Sequence, residues 1–569
     1  MKERNRFAQR AVATATALGL LLVACGGSDS SSEDSSPATA AGPASTAAPT
    51  SVSETTTPVA STDATEASAP SSAAPATDAP EPSEPFDPEG VIRVGYDLIL
   101  QAAGGFDLDP PAVKTNTNDA ILYLIYGRLM RPTSDGGLEP DLAESATIVD
   151  PGTIEVVIRD GVTFQDGSPF DAEAVKVGLD RNLASNNEAG FTPEFFALQS
   201  VEVTGPNTVT LSIADGAAPS WFDSFLGGWQ TSISKEGNDP NSPIGAGPFV
   251  VTDYRPQQTL VLDKYDDYWD VDSIKAGGYE FLQVAADQMQ SGVAAVTAGQ
   301  LDIALADATL LGAMSGNVQP FVNTDPAQTV SMQVCKSDGP LADPDVRRAI
   351  NMAVDRQAIA EAIYQDTATP MTQLWPAGHR FNSPELDDVL AYDPEGAANL
   401  LVEAGYADGF AFDLYVIPAL GLPEVAQIVQ QELAQIGVTM NIVNAGNYVE
   451  DFLVPQKAGA GLIPGNADGL QKLDHWVGDA LANACQYDDP ELTALRGELA
   501  TVSASSDEAV DLWKQVNDIV VGDALGVFAL FRAGISAYDA DRLGGLSMWP
   551  RVGNMGVPDP RTTYVKVAG

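Results

Sequence analysis

From Val91 onward the chain alternates apolar and polar residues in short runs. Val91-Ile92-Arg93-Val94-Gly95-Tyr96 reads as a strand, as do Thr153 to Arg159 and Thr208 to Ala214, where apolar side chains fall at every second position. Such strands dominate the early part. Later the period changes between 2 and 3.6, most plainly across Phe410 to Pro418, Pro423 to Ile436 and Val438 to Val443, which together predict a βαβ unit. Pro423 suits a first helical turn, Val425, Ile428, Val429 and Leu433 share one face, and Gly437 is placed to stop the helix. Asp343-Pro344 opens another helix, with Val346, Ala349, Ile350, Ala353 and Val354 at helical spacing, and Asp393-Pro394 to Gly405 repeats the device.

Upstream of this body the pattern is of a different kind. Lys2, Arg4, Arg6 and Arg10 precede an apolar run from Ala11 to Ala24, shorter than the roughly 20 residues that a membrane-spanning helix needs. This is an export signal, predicted for residues 1–24. Leu22-Val23-Ala24-Cys25 resembles the lipobox of bacterial lipoproteins, in which the cysteine is diacylated and becomes the first residue after cleavage. A plain secretory signal with a chance cysteine is the alternative. Residues 25–89 are almost wholly Ser, Thr, Ala, Pro, Asp and Glu and lack Lys and Arg, so they cannot bury enough apolar surface to offset chain entropy. They are read as an extended stalk, of a composition that also permits O-glycosylation.

Composition narrows the function. The chain has 569 residues, enough for two or three domains, and 78 acidic against 29 basic residues give a formal net charge of −49. Phosphate contacts need clustered Lys and Arg, so nucleic acid is excluded as a partner, and anionic lipid surfaces would repel the body. The acidity reads as a solvated surface, with a cationic ligand as the alternative. After Cys25 only Cys335 and Cys485 remain. In an exported chain they are expected to form a disulfide closing a loop of roughly 150 residues, two buried free thiols being the alternative.

Catalytic equipment is sparse. There are two histidines, His379 and His475, and no HExxH, CxxC, P-loop or GxSxG motif. One histidine without a second nearby does not make a dedicated metal site, so no metal and no cofactor are expected. Gly459-Ala460-Gly461 with Gly465 misses the dinucleotide spacing by one residue and is read as a flexible loop. No enzyme activity is expected; a surface hydrolase and an adhesin are the minor alternatives.

Five ordered segments resemble the solute-binding protein family 5, the peptide- and nickel-type extracellular receptors of ABC importers. They are Asp141 to Ser145 with Ile158 to Lys176, the turn Pro243-Ile244-Gly245-Ala246-Gly247-Pro248-Phe249, Tyr265 to Trp269, Asp343 to Tyr364, and the later helix starts at Asp393 to Tyr406 and Tyr487 to Leu492. The second part of the first segment reads physically as a hairpin turned by Asp160-Gly161 and Asp166-Gly167, followed by a helix beginning near Asp171.

The resemblance implies an α/β fold of two hinged lobes with an additional inserted domain. On that plan lobe one comprises 90–118, 236–327 and 534–569, the insert 119–235, and lobe two 328–533, with hinges near Thr329 and Ala533. The implied function is capture of a small solute in the interlobe cleft and delivery to an ABC permease with its ATPase subunits. An oligopeptide is the expected solute, and a sugar, opine or metal complex the alternative. Asp468, in Gly465-Asn466-Ala467-Asp468, is the nearest match to the aspartate that clamps a peptide α-amino group in that family, although the neighbouring tryptophan of the family motif is lost. Tyr96, Trp375, His379 and Trp476 complete the candidate ligand set, with Trp375 first among them. Cys25 is the lipidation candidate, which places the protein outside the cytoplasm, held to the cell membrane by its N-terminal lipid, and a monomer is expected.

Overall fold

The computed structural model describes residues 84–99, 106–113, 118–133, 137–185, 195–285, 288–335, 339–365, 367–417, 421–446, 448–453, 459–465, 469–477, 483–485, 487–549 and 556–567. The signal, Cys25 and the stalk to residue 83 therefore lie outside the described residues, as does Asp468. No helix among the described residues is long and apolar enough to cross a membrane.

The strand β1 (Val91–Tyr96) follows the alternation of its sequence, burying Ile92, Val94 and Tyr96. After α1 (Asp119–Tyr126) come β2 (Ala143–Asp150), β3 (Thr153–Ile158), α2 (Ala172–Leu183), β4 (Leu198–Gly205), β5 (Thr208–Ile213) and α3 (Ala218–Phe225). Their four strands form a separate antiparallel sheet, ordered β2-β3-β5-β4. Asp171 caps α2 by accepting from Ala174 N–H at 3.1 Å, as the sequence predicts.

The chain continues through β6 (Phe249–Arg255), β7 (Thr259–Lys264), β8 (Gly278–Gln283), α4 (Met289–Thr297), β9 (Ile303–Ala306) and the long β10 (Val318–Val334). Next come α5 (Pro344–Met352), β11 (Ala368–Pro370), α6 (Pro394–Glu403), β12 (Phe410–Val416), α7 (Leu422–Gln435), β13 (Val438–Asn444), β14 (Ala460–Gly465), α8 (Pro490–Leu499), α9 (Asp507–Gly522) and β15 (Gly526–Asp539). These strands, with β1, make an eleven-stranded sheet in the order β13-β12-β14-β10-β15-β9-β1-β8-β7-β6, with β11 paired to β15. β12 and β13 are parallel and joined by α7, so the βαβ unit read from the sequence is present. Asp343 and Asp393 cap α5 and α6 through Asp345 N–H and Gly396 N–H. α5 ends at Met352, short of Ala353 and Val354, although both are buried.

The segment read as a flexible loop is a strand. Ala460 to Gly465 pairs with β10 on one side and β12 on the other. Glycine weakens a strand in isolation, but Gly461 is needed here because a Cβ would collide with the Tyr448 hydroxyl and the Phe452 ring packed above it. Close tertiary approach, invisible in local composition, decides this element.

The family-like segments meet in space. Asp141 is fully buried and accepts from Tyr123 Oη at 2.8 Å and Tyr268 Oη at 3.2 Å. The Arg159 guanidinium lies 3.9 Å from the Trp269 ring centroid. The Gln165 side chain donates to Ile125 O and Phe249 O, both at 2.7 Å, and accepts from Gly245 N–H at 3.0 Å. A Cβ on Gly247 would sit 2.6 Å from Leu124 O, so the turn needs glycine to lie against the backbone of α1. Three segments distant in sequence thus form one knot tying the segment after β3 to β6 of the eleven-stranded sheet. In the second lobe Arg356 is buried and satisfied almost wholly by carbonyls, those of Asn351, Val354, Met371 and Leu390.

Candidate functional site

The site follows from strand direction. β9 and β8 run parallel to β1, and β14 and β13 run parallel to β12. β10 and β15 pair along both groups, Val318–Asn323 with Asp539–Gly534 and Gln328–Gln333 with Arg532–Gly526, with a break in register between Asn323 and Gln328. β9 runs antiparallel to β15 and ends at Ala306 opposite Ile535. β14 runs antiparallel to β10 and ends at Gly465 opposite Thr329. The carboxyl ends of both parallel groups therefore point at the break from opposite sides. In open α/β sheets ligands bind beyond the carboxyl ends of strands, and a two-strand crossover is a hinge about which lobes close. The cleft at this break is the candidate functional site.

Tyr96 ends β1. It is 2% exposed, and meets Phe281 and Phe106 edge-on at 5.8 and 6.2 Å. Burial pushes its phenol pKa well above the ordinary value. With Gly95, Asp97, Val284, Ala285, Met289 and Leu305 it lines a cavity of about 10 Å³, room for roughly one water. Asp97 accepts from Gln283 Nε2 at 3.1 Å and from Ile99 N–H at 3.0 Å, which holds the strand end in place. Asp307, just past β9, caps the next turn by accepting from Thr309 N–H at 3.0 Å.

Trp375 is 4% exposed. Its ring stacks on His379 at 4.4 Å with a 10° interplanar angle and meets Phe381 and Trp513 edge-on at 5.0 and 5.1 Å. The Lys472 ammonium lies 4.3 Å from the Trp375 centroid and donates to Leu374 O at 2.8 Å. His379 Nδ1 accepts from Phe381 N–H at 3.2 Å. Trp476 is buried and donates through Nε1 to Leu525 O at 3.3 Å. Trp375 and His379 thus stand together, Trp476 belongs to the same apolar cluster as Trp375, and Tyr96 belongs to a different core. Cys335 and Cys485 are joined by a disulfide. Among the described residues no group of three or more His, Cys, Asp or Glu is placed to hold a metal ion.

Four residues that the sequence reading did not single out matter here. Asp223, on α3, accepts from Ser503 Oγ and Ala504 N–H, each at 2.8 Å, and Ser220 donates to Ala500 O. Helix α3 is thereby bonded to the α8–α9 loop. Arg380 binds the other side of that loop, donating to Ala504 O at 3.1 Å and Ser506 O at 2.8 Å. Arg532 is 8% exposed and pairs with Gln328 at the edge of the break. A lone cation inside the apolar run Gly526 to Ala537 was visible in the sequence; its position at the crossover was not.

Comparison with known proteins gives a consistent result. The sequence model of bacterial extracellular solute-binding proteins, family 5 middle, matches residues 137–459, more than half of the chain. The glutathione-binding protein GsiB of Salmonella paratyphi A is 30% identical over 362 residues, covering 61% of this chain and 69% of that protein. The ABC transporter substrate-binding protein CtaP of Listeria monocytogenes superposes with a TM-score of 0.70 at 19% identity, covering 84% of this chain and 99% of that one. NikA of Staphylococcus aureus, solved with Ni(L-His)2, gives a TM-score of 0.68 at 17% identity over 84% and 100% of the two chains.

Proposed function

Since the chain belongs to the family 5 bacterial extracellular solute-binding proteins, the receptors of ABC importers, we propose that it captures a short peptide in the interlobe cleft and presents it to a membrane permease. The likeness to glutathione-binding proteins carries this reading, because glutathione is itself a tripeptide and that relative is matched over most of its length. The geometry suits capture. Closure about the crossover is favoured by a solute only if it touches both lobes, and the strand ends of both lobes converge at the break between Asn323 and Gln328. We assign lobe one to 90–118, 236–327 and 534–569, the insert to 119–235 and lobe two to 328–533. The hinges near Thr329 and Ala533 fall beside the register break.

Thermal unfolding with a panel of solutes tests the peptide reading. Glutathione or a di- or tripeptide at a hundredfold excess over Kd is expected to stabilise the protein by about 2.7 kcal/mol. A shift with sugars, opines or a nickel–histidine complex, and none with any peptide, would overturn it.

The same reading gives the N-terminus a role. Cys25 carries the lipid, and the segment of residues 25–89 joins it to the receptor body, keeping the receptor close to its permease. Cys25→Ser is expected to release the protein from the membrane fraction into the medium. Retention of the variant on the membrane would remove the anchor assignment.

A further inference from the structure

Arg532 is a buried cation whose donors are incompletely used. Its Nη2 donates to Gln328 Oε1, a neutral amide, while Nε is buried and has no hydrogen-bond partner. Among the described residues no carboxylate lies within ion-pair distance of it. The groups that act on it electrostatically are the phenol of Tyr364 and the carboxylate of Asp307. Asp307 is already engaged in capping Thr309. A guanidinium removed from water without an anion is costly, and a fork with one arm on an amide and one arm empty matches a planar carboxylate. The residue also stands at the break in the β10–β15 ladder, beside the converging strand ends, and not in the middle of either lobe.

We propose that Arg532 is the receptor for a carboxylate of the captured solute, which engages the vacant Nε–H and competes with Gln328 for Nη2. The inference rests on the cleft reading above and adds a chemical class to it: the solute is an anion with a free carboxylate, and its neutral derivatives are rejected. Arg532 acts as a binding and specificity residue, and the chemistry it recognises is common to peptides and to simple organic acids.

The experiment compares the full chain with Arg532→Met and Arg532→Lys, by thermal unfolding and calorimetric titration. The probes are glutathione, its diethyl ester, succinate and succinamide. Glutathione or succinate is expected to bind the unaltered protein, while the ester and the amide do not. Arg532→Met is expected to unfold at or above the unaltered protein's temperature without ligand, because it removes an unpaired buried charge. Both variants are expected to bind the acids at least about 30-fold more weakly, the effect of breaking a buried hydrogen-bonded charge pair. Arg532→Lys keeps the charge but loses the fork, so it reports even if the methionine variant does not fold. The proposal is overturned if no acid binds the unaltered protein, if ester and acid bind alike, or if either variant binds the acids unchanged. Equal binding of glutathione and its ester would leave the peptide reading standing while removing this site. Binding of succinate and of no peptide would do the reverse.

Discussion

Asp302→Ala is expected to cost about 3–5 kcal/mol of folding stability, the effect of losing a buried carboxylate that accepts several charge-assisted hydrogen bonds and one from a backbone N–H. Asp302 stands at the entry to β9 and its side chain is fully buried. The backbone N–H of Arg93 donates to it at 2.8 Å, Arg93 Nη2 at 2.5 Å, and Arg542 Nε lies 2.6 Å from the same carboxylate. One anion thus holds two guanidiniums that would otherwise face each other. It also ties β1 to β9, whose ends at Tyr96 and Ala306 border the cleft, so the substitution is expected to weaken solute binding as well. Urea denaturation checks the value: the midpoint should fall with an unchanged slope. A loss below about 1 kcal/mol would mean that solvent already shields the pair of arginines, as it does for exposed ion pairs.

Removing the disulfide should have the second largest effect. Cys335 and Cys485 are separated by 150 residues, and both are buried against Tyr415, Phe452 and Ala484. Cross-linking a loop of that length restricts the unfolded chain, so Cys335→Ala with Cys485→Ala is expected to cost about 2–5 kcal/mol. The double variant is preferable to reduction because buried sulfurs resist reagents. Cys335 follows the far end of β10 from the register break, so the loss should be seen in stability far more than in ligand affinity. An unaltered melting temperature in the double variant would show that the bond does not constrain the unfolded chain.

Local order was readable where it depends on neighbours in sequence. The strand at Val91–Tyr96, the caps at Asp171, Asp343 and Asp393, and the βαβ unit from Phe410 to Asn444 all follow from side-chain period and capping chemistry, which act within a few residues. The same reasoning failed at Ala460–Gly465, where glycine suggested a loop. There the missing side chain makes room for Tyr448 and Phe452, and flanking strands supply the hydrogen bonds. The segments that resemble the family are legible for a related reason. Asp141, Gln165 and the Gly245–Gly247 turn bear on buried hydrogen bonds and backbone contacts that few other residues satisfy, so they preserve a scaffold and carry no news of the solute.

The sequence by itself determined the class of the protein: an α/β body carrying the ordered segments of a family 5 solute-binding protein. Tertiary structure alone decided which distant residues meet. Trp375 and His379, four positions apart in sequence, are stacked within an aromatic cluster, whereas Arg532 and Gln328, 204 residues apart, face each other at the crossover. Period and capping are local properties, readable one segment at a time. A binding site is made where strands from distant parts of the chain end together, and that meeting depends on sheet order and register, which no single segment encodes.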